Sequence, residues 1–101
     1  MGVKEPPDFL AHKDGDSVAV AVRDLDPGTV KGGYLEGPAS VTVELRHAVP
    51  LGHKLALTDI SSGADVIEYG IRIGTASRDI KRGEYVHVHN IRSARWQNSV
   101  A

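Results

Sequence analysis

The sequence predicts an all-β domain built from many short strands joined by tight turns. Short runs of alternating apolar residues recur along the chain, and this alternation is typical of strands with one buried face. Glycine, proline and aspartate separate the runs at short intervals, as they do in turns. No stretch of the sequence shows a sustained apolar period of about 3.6 residues with capping residues, which a helix would require.

Length and composition indicate a simple domain organisation. A chain of 101 residues fits one domain with a small core, and with few aromatic residues most of that core must be Val, Ile, Leu and Ala. We expect residues 1–8 to form a flexible polar lead and residues 9–91 to form the domain. Residues 92–101 are expected to be a C-terminal tail that contacts a partner.

The first 38 residues predict two strands, separated by turns. Phe9–His12 is a short strand, and Lys13–Asp16 is a turn that its aspartates cap, because its spacing does not match a calcium-binding loop. Ser17–Arg23 alternates Val with Ala and has the length of a strand; a helix is the alternative, but the flanking turns are too close together. Asp26–Gly28 predicts a turn, and the glycine-rich Lys31–Pro38 predicts an excursion loop.

The segment Ser40–Arg46 is the clearest strand in the sequence. Val41, Val43 and Leu45 alternate with polar residues and therefore share one face, which we expect to point inward. The polar residues between them are expected to point outward.

The second half of the chain repeats a short unit with glycine at its third position and an apolar residue at its sixth. The copies are Pro50–Leu55, Ser61–Val66 and Lys81–Val86, with a fainter copy at Asp26–Val30. A glycine at a fixed turn position predicts a positive φ, as in a type II turn or a bulge. Ile60 and Ile80 precede two of these turns by the same offset, which predicts strand-turn-strand hairpins. Tyr69-Gly70 and Ile73-Gly74 predict further bends.

Charge and composition exclude several classes of function. Lys and Arg number 12 against 13 Asp and Glu, whereas proteins that bind a nucleic-acid backbone usually carry a clustered basic excess. No apolar run is long enough to cross a bilayer and no signal peptide is visible, so no membrane association is expected. The absence of cysteine favours a cytoplasmic protein.

The sharpest chemical feature lies in the last copy of the repeated unit. If the strand continues beyond it, Val86 and Val88 point to one face, while His87 and His89 point to the other and Asn90 follows them. Two imidazoles ~7 Å apart at the backbone can converge on one ion, but a metal needs further ligands, so we predict no metal site on this chain alone. A substrate-facing or partner-facing role suits these donors and acceptors. The alternative is a polar outer strand face.

Two other segments carry candidate functional residues. Lys54 follows His53 at the start of a predicted strand and could bind a carboxylate or sulfonate through its compact positive charge. The alternative is that both residues belong to a solvated turn. Near the C-terminus, Trp96 follows Arg92 and Arg95, a composition typical of an interface hot spot. The alternative is that Trp96 folds back as a core residue.

Three linked segments, in this order, resemble a known family. They are Gly52–Leu57, Tyr69-Gly70-x-x-Ile73-Gly74 and Gly83–Asn90, preceded by a segment starting at His12-x-Asp14-x-Asp16. Together they are similar to the SAF-type N-terminal domain of the altronate and galactarate dehydratases, over residues from about Phe9 to Trp96. The end of the chain after Trp96 resembles the free-standing α subunits of split lyases in this family, those of the (2R)-sulfolactate sulfo-lyase type.

The resemblance implies both a fold and a reaction. It implies a β-clip fold, a cytoplasmic setting and a large catalytic lyase subunit as partner, and it leaves homo-oligomers open. The implied reaction removes a proton beside a carboxylate of a small anionic hydroxy acid, with loss of water or sulfite from the neighbouring carbon. A divalent metal, commonly iron, is implied in the large subunit.

We therefore expect the small subunit of a two-subunit carbon–oxygen or carbon–sulfur lyase, contributing part of a substrate site and inactive by itself. The expected catalytic residues are His53, His87 and His89. The expected substrate-binding residues are His12, Lys54 and Asn90, and the expected partner contacts are Arg92, Arg95 and Trp96. The alternative is a stand-alone carbohydrate- or acid-binding module, or an assembly module without catalytic residues.

Overall fold

The computed structural model describes residues 7–36 and 40–93, and these residues form an all-β domain. No residue in these two ranges is helical, which confirms the predicted fold class. Within them the strands are β1 (Phe9–Lys13), β2 (Val18–Ala21), β3 (Gly28–Glu36), β4 (Val41–Leu45), β5 (Lys54–Ala56), β6 (Asp65–Glu68), β7 (Ile71–Ala76), β8 (Tyr85–Val86) and β9 (Ile91–Ser93). No helix in this part of the chain could cross a membrane.

The strands form two sheets. The larger has the order β4-β3-β1-β2-β5-β8, and the smaller has the order β6-β7-β9. Neighbouring strands are antiparallel except for β1 and β3, which are parallel. The pairing of β5 with β8 sets Lys54 opposite Val86 and Leu55 opposite Tyr85.

The predicted excursion loop at residues 31–38 is wrong, because Lys31–Glu36 belongs to β3. Gly32 pairs with Phe9 on one side and Val41 on the other. A Cβ on Gly32 would lie 2.2 Å from the carbonyl oxygen of Phe9 and 2.5 Å from its ring. The glycine therefore makes room for a core phenylalanine inside a sheet, rather than giving a loop its freedom.

The three main copies of the repeated turn unit are confirmed, whereas Gly28 of the fainter copy has a positive φ of 130° but begins strand β3. Gly52, Gly63 and Gly83 stand in equivalent turns with φ of 83°, 84° and 89°. The predicted hairpins at Ile60 and Ile80 are wrong, since these residues instead bridge to each other in antiparallel fashion. The side chains of Ile60 and Ile80 are buried in the same apolar core, so the residues before two copies of the repeat pack in one core.

The two further bends had different outcomes. Tyr69-Gly70 is a turn between β6 and β7, as predicted, with positive φ at both residues. Ile73-Gly74 lies inside β7 and not at a turn, but the pairing with β6 shifts register there, because Val66 is opposite Gly74 and Ile67 is opposite Arg72. Ile73 is thus the extra residue of a bulge, which bends the strand as predicted.

Two apolar cores lie on either side of β5. Leu55 packs with Phe9 and other residues of the first core, whereas its neighbour Ala56 packs with Val18 and Val86 in the second. Successive side chains of a strand point to opposite faces, so one short strand serves both cores. The predicted inward face of β4 is confirmed, since Val43 and Leu45 are buried and Val41 is half-buried.

Asp8 of the predicted lead and Arg92 of the predicted tail both make contacts with the sheets. Residues 1–6 and 94–101 lie outside the described residues, and Arg95 and Trp96 are among them. Asp8, placed in the lead by the prediction, is joined to the sheet. Its carboxylate accepts a 2.8 Å hydrogen bond from the Lys31 amide and pairs with Arg23. Arg92, assigned to the tail, lies in β9 opposite Thr75 of β7.

Candidate functional site

The antiparallel pairing of β5 and β8 brings His53 and His87 together. Continuing the register by one residue beyond Lys54 and Val86 sets His53 opposite His87. Side chains directly opposite each other in such a pair share a face. Their ring centroids are 5.1 Å apart, so two histidines separated by 33 intervening residues become neighbours.

Tyr85 completes this group, and the sequence prediction did not include it. Its hydroxyl lies 2.5 Å from Nδ1 of His53. Its ring stacks with that of His87 at 5.7 Å between centroids and contacts that of His89 at the same distance. We call His53, Tyr85, His87 and His89 the histidine cluster.

The segment after Val86 is a turn, so its predicted continuation as a strand is wrong. The strand ends at Val86, and Val88 is 79% exposed instead of facing inward with it. The turn is closed by backbone hydrogen bonds of 3.0 Å from the amides of Asn90 and Ile91 to the carbonyl of His87. A turn, unlike a strand, lets His87 and His89 both reach the ring of Tyr85.

Asn90 is part of the support beneath this turn. Its side-chain oxygen accepts a hydrogen bond from the His87 amide at 2.9 Å, and its side-chain nitrogen donates to the Tyr85 carbonyl at 2.8 Å. The residue is 1% exposed. The predicted presentation of Asn90 beside the histidines is therefore wrong, because both polar atoms of its side chain bond the backbone of His87 and Tyr85.

The environment of His89 favours its neutral form. Partial desolvation, followed by the positive charges of Arg78 and protonated His87, lowers the pKa of His89 below its ordinary value of 6.5. Glu84 acts in the opposite direction but does not reverse the shift. A neutral imidazole has one nitrogen that can accept a proton, which a general base requires.

A second group surrounds the buried carboxylate of Glu68, at the end of β6. Its oxygens lie 3.7 Å from Nζ of Lys54 and 4.0 Å from Nε2 of His12. The ring of Tyr69 stacks on His12 with centroids 3.5 Å apart and planes 15° apart. We call His12, Lys54, Glu68 and Tyr69 the Glu68 cluster; Glu68 and Tyr69 were not predicted as site residues.

Asp16 holds Tyr69 in place over His12. Tyr69 has a φ of 60°, which costs a residue with a Cβ about 1–2 kcal/mol. The Asp16 carboxylate accepts hydrogen bonds from the amides of Tyr69 at 3.0 Å and Gly70 at 2.9 Å. Burial raises the pKa of Asp16, but backbone hydrogen bonds, from Gly70, Lys13, Tyr69 and His12 in that order, together lower it below 3.8.

The predicted site residues thus divide between two clusters. His53, His87 and His89 meet in the histidine cluster, whereas His12 and Lys54 belong to the Glu68 cluster. His53 and Lys54 are adjacent in the chain but separate because consecutive side chains at a strand point to opposite faces. Tyr85 could have been found from sequence only with the β5–β8 register, which puts it diagonally across from His53.

The residues in these clusters do not form a metal site. Among residues 7–36 and 40–93, no group of three or more His, Cys, Asp or Glu side chains has the geometry to hold a metal ion. These described residues therefore hold no complete site by themselves for a divalent metal, which the family resemblance implies in the large subunit.

Comparison with known proteins relates the chain to a group of lyases. The family model of the altronate/galactarate dehydratase SAF domain matches residues 7–94. The chain is 36% identical over 91 residues to the (2R)-sulfolactate sulfo-lyase subunit alpha of Chromohalobacter salexigens, covering 88% of this chain and 97% of that subunit.

Two larger relatives contain the same region. The chain is 50% identical over 78 residues to the altronate dehydratase of Escherichia coli, which is 77% of this chain but 15% of the enzyme. It is 40% identical over 80 residues to the galactarate dehydratase (L-threo-forming) of the same organism, of which it spans 14%. The match of the family model, the identities to these lyases and the all-β fold establish that this chain belongs to the altronate/galactarate dehydratase SAF domain family.

Proposed function

We propose that this chain is the small subunit of a two-subunit lyase acting on a small anionic hydroxy acid. In this proposal the histidine cluster forms one wall of a substrate site, and a large catalytic subunit completes it. The observation that carries the proposal is the convergence of three histidines and a tyrosine on the ends of two paired strands.

The chemistry of the cluster suits an elimination. A base removes the proton beside the carboxylate, the C–H electrons form a double bond, and the leaving group departs from the next carbon with its bonding electrons. In a dehydratase the leaving hydroxyl takes up a proton from a group of the completed site and departs as water; in a sulfo-lyase the sulfonate group departs as sulfite. Histidine is the residue that most often moves such protons, and we assign the role of base to His89 because its lowered pKa keeps it neutral at pH 7.

The surroundings of the cluster support a partner subunit. Val88, between His87 and His89, is 79% exposed, and Leu51, two residues before His53, is 60% exposed. Contiguous apolar patches on a surface mark sites of protein interaction, and we propose that these two side chains belong to one such patch. The match to nearly all of a relative that is named a subunit supports the same arrangement. We extend the contact to Arg92 and to Arg95 and Trp96 in the tail.

The other expected roles are also part of the proposal. His12 and Lys54 are candidates for binding the anionic group of the substrate, although Glu68 between them offsets their positive charge. We place the divalent metal, iron by the family resemblance, in the large subunit.

A reconstitution experiment tests the proposed function. The tagged chain is purified from its source cell together with its large subunit, and the isolated chain is prepared separately. Each is assayed with sulfolactate, altronate and galactarate. We expect turnover of one of these acids by the complex and none by the isolated chain, because the histidine cluster is only one wall of a site.

Two outcomes would contradict the proposal. Turnover by the isolated chain would show that it needs no second subunit. A purified complex without a lyase subunit, or without lyase activity, would instead favour a binding or assembly module.

A further inference from the structure

We propose that Tyr85 is a positioning residue that holds neutral His53 in the tautomer with its proton on Nε2. His53 then donates a hydrogen bond to an anionic oxygen of the substrate and does not act as the base. The inference rests on the proposed function, because it assigns roles within that site.

The backbone fixes the relation between the two side chains. Leu55 pairs with Tyr85 across β5 and β8, so Tyr85 lies diagonally across from His53 on the same face. The amide of Ala56 bonds to the carbonyl of Glu84 at 3.0 Å, which holds this register where β8 begins. The contact of 2.5 Å between the Tyr85 hydroxyl and His53 Nδ1 is therefore built into the sheet.

The position of Tyr85 is held on three sides. Its ring is half-buried against the first apolar core and stacks with the ring of His87 at an angle of 6°. Its backbone carbonyl accepts a hydrogen bond from the Asn90 side chain. A side chain packed in this way has little freedom to turn away from His53. The hydroxyl therefore stays directed at Nδ1.

The chemistry of the two groups decides which of them donates. A neutral imidazole offers one N–H donor and one lone-pair acceptor, and a phenol offers one O–H. Imidazole is protonated near pH 6.5, far more readily than a phenol oxygen, so its lone pair is the better acceptor, and the phenol O–H is the better donor. Tyr85 thus donates to Nδ1 of His53. The ring proton must then be on Nε2.

This tautomer gives His53 a different role from the histidine that acts as the base. With Nδ1 occupied, the group that His53 can offer to a ligand is the Nε2–H, a donor suited to a carboxylate or to the oxygen of a leaving group. Such a donor stabilises negative charge where it develops during the reaction. The base is then a different histidine, which agrees with the environment of His89.

The tautomer can be measured directly by long-range ¹H–¹⁵N correlation NMR of the full chain at neutral pH. We expect His53 to show the Nε2–H tautomer in the wild type and a mixture of tautomers in Tyr85→Phe. Tyr34→Phe is the matched control, because Tyr34 is another half-buried tyrosine packed on the same core and should leave the spectrum of His53 unchanged. In the reconstituted complex, Tyr85→Phe should lower kcat/KM about tenfold, the effect of roughly 1.4 kcal/mol.

The outcomes separate this inference from the proposed function. The Nδ1–H tautomer in the wild type, or no change of tautomer in Tyr85→Phe, would overturn the role of Tyr85. A changed tautomer with unchanged kcat/KM would overturn the role of His53 as a donor. Lack of lyase activity in the wild-type complex would overturn the proposed function itself, and with it the roles that depend on that function.

Discussion

At the scale of single residues, the fold lowers the pKa of His89. Partial desolvation and the positive charges of Arg78, His87 and, least, His47 lower its pKa, while Glu84 raises it. We predict that His89 titrates with a midpoint below 6.5 when its ring protons are followed by NMR. Because the folded pKa lies below the unfolded one, the unfolded chain binds more protons, and acidification through pH 6.5 destabilises the fold through this residue.

Two substitutions check the cause of this shift. Arg78→Gln removes a repelling charge and should raise the midpoint of His89, whereas Glu84→Gln removes an attracting charge and should lower it further. A wild-type midpoint at or above 6.5, or shifts of the opposite sign, would contradict the assigned environment.

The sequence identified the histidines of the site by type but not the residues that arrange them. The pattern His87-x-His89 and the neighbouring His53 stand out in the sequence because their side chains are chemically distinctive. Tyr85 contacts His53 diagonally across two strands, and Asn90 makes two hydrogen bonds to the backbone of the turn. These contacts can be predicted only when the strand register and the turn are known. Local periodicity alone cannot supply them.

At the scale of secondary-structure elements, the turn before β8 joins the site to the large sheet. The carbonyl of Gly83 accepts a hydrogen bond from the Arg46 amide at 2.9 Å, and the Arg82 side chain donates to the Thr42 carbonyl at 2.7 Å. A Cβ at position 83 would lie 2.0 Å from the carbonyl oxygen of Glu44. The close approach of this turn to β4 is possible because the residue is glycine.

Gly63 and Gly83 have similar backbone angles, so comparing their alanine substitutions distinguishes the cost of this close approach from the cost of a positive φ. Gly63 has nearly the same φ as Gly83, but a Cβ there would meet nothing within 4 Å. We expect Gly63→Ala to cost about 1–2 kcal/mol for the positive φ, and Gly83→Ala to cost about 1–3 kcal/mol more because the turn must move from β4. Urea unfolding of both variants measures the difference. Equal costs would show that the turn does not depend on this contact.

The elements that the sequence failed to predict share one cause. The segment around Gly32 reads as a loop by composition, yet tertiary packing against Phe9 makes it a strand. Ile60 and Ile80 belong to similar local patterns, but their partners are each other and not the neighbouring strands. In both segments the structure is set by strand pairing between residues far apart in the sequence. The turn glycines were predictable because their signal is local.

At the scale of the whole molecule, β5 connects the cores to both clusters. Leu55 and Ala56 belong to different apolar cores, while Lys54 contacts Glu68 and the preceding His53 contacts Tyr85. A domain of this kind can hold the histidine cluster rigidly while leaving its outer side open to a second subunit. Under the proposed function, the unit that turns over substrate is the assembly of this chain with the large subunit.

The most direct measurement of this claim is the kcat/KM of the reconstituted complex carrying His53→Gln or His87→Gln. The control is His47→Gln, an exposed histidine outside the ring contacts of the cluster. We predict that both cluster variants assemble normally but lose about 100-fold or more in kcat/KM, because each loses a hydrogen-bond donor or a proton-transfer group of the site, while the control stays near wild type. Rates near wild type for both cluster variants in a fully assembled complex would contradict the account.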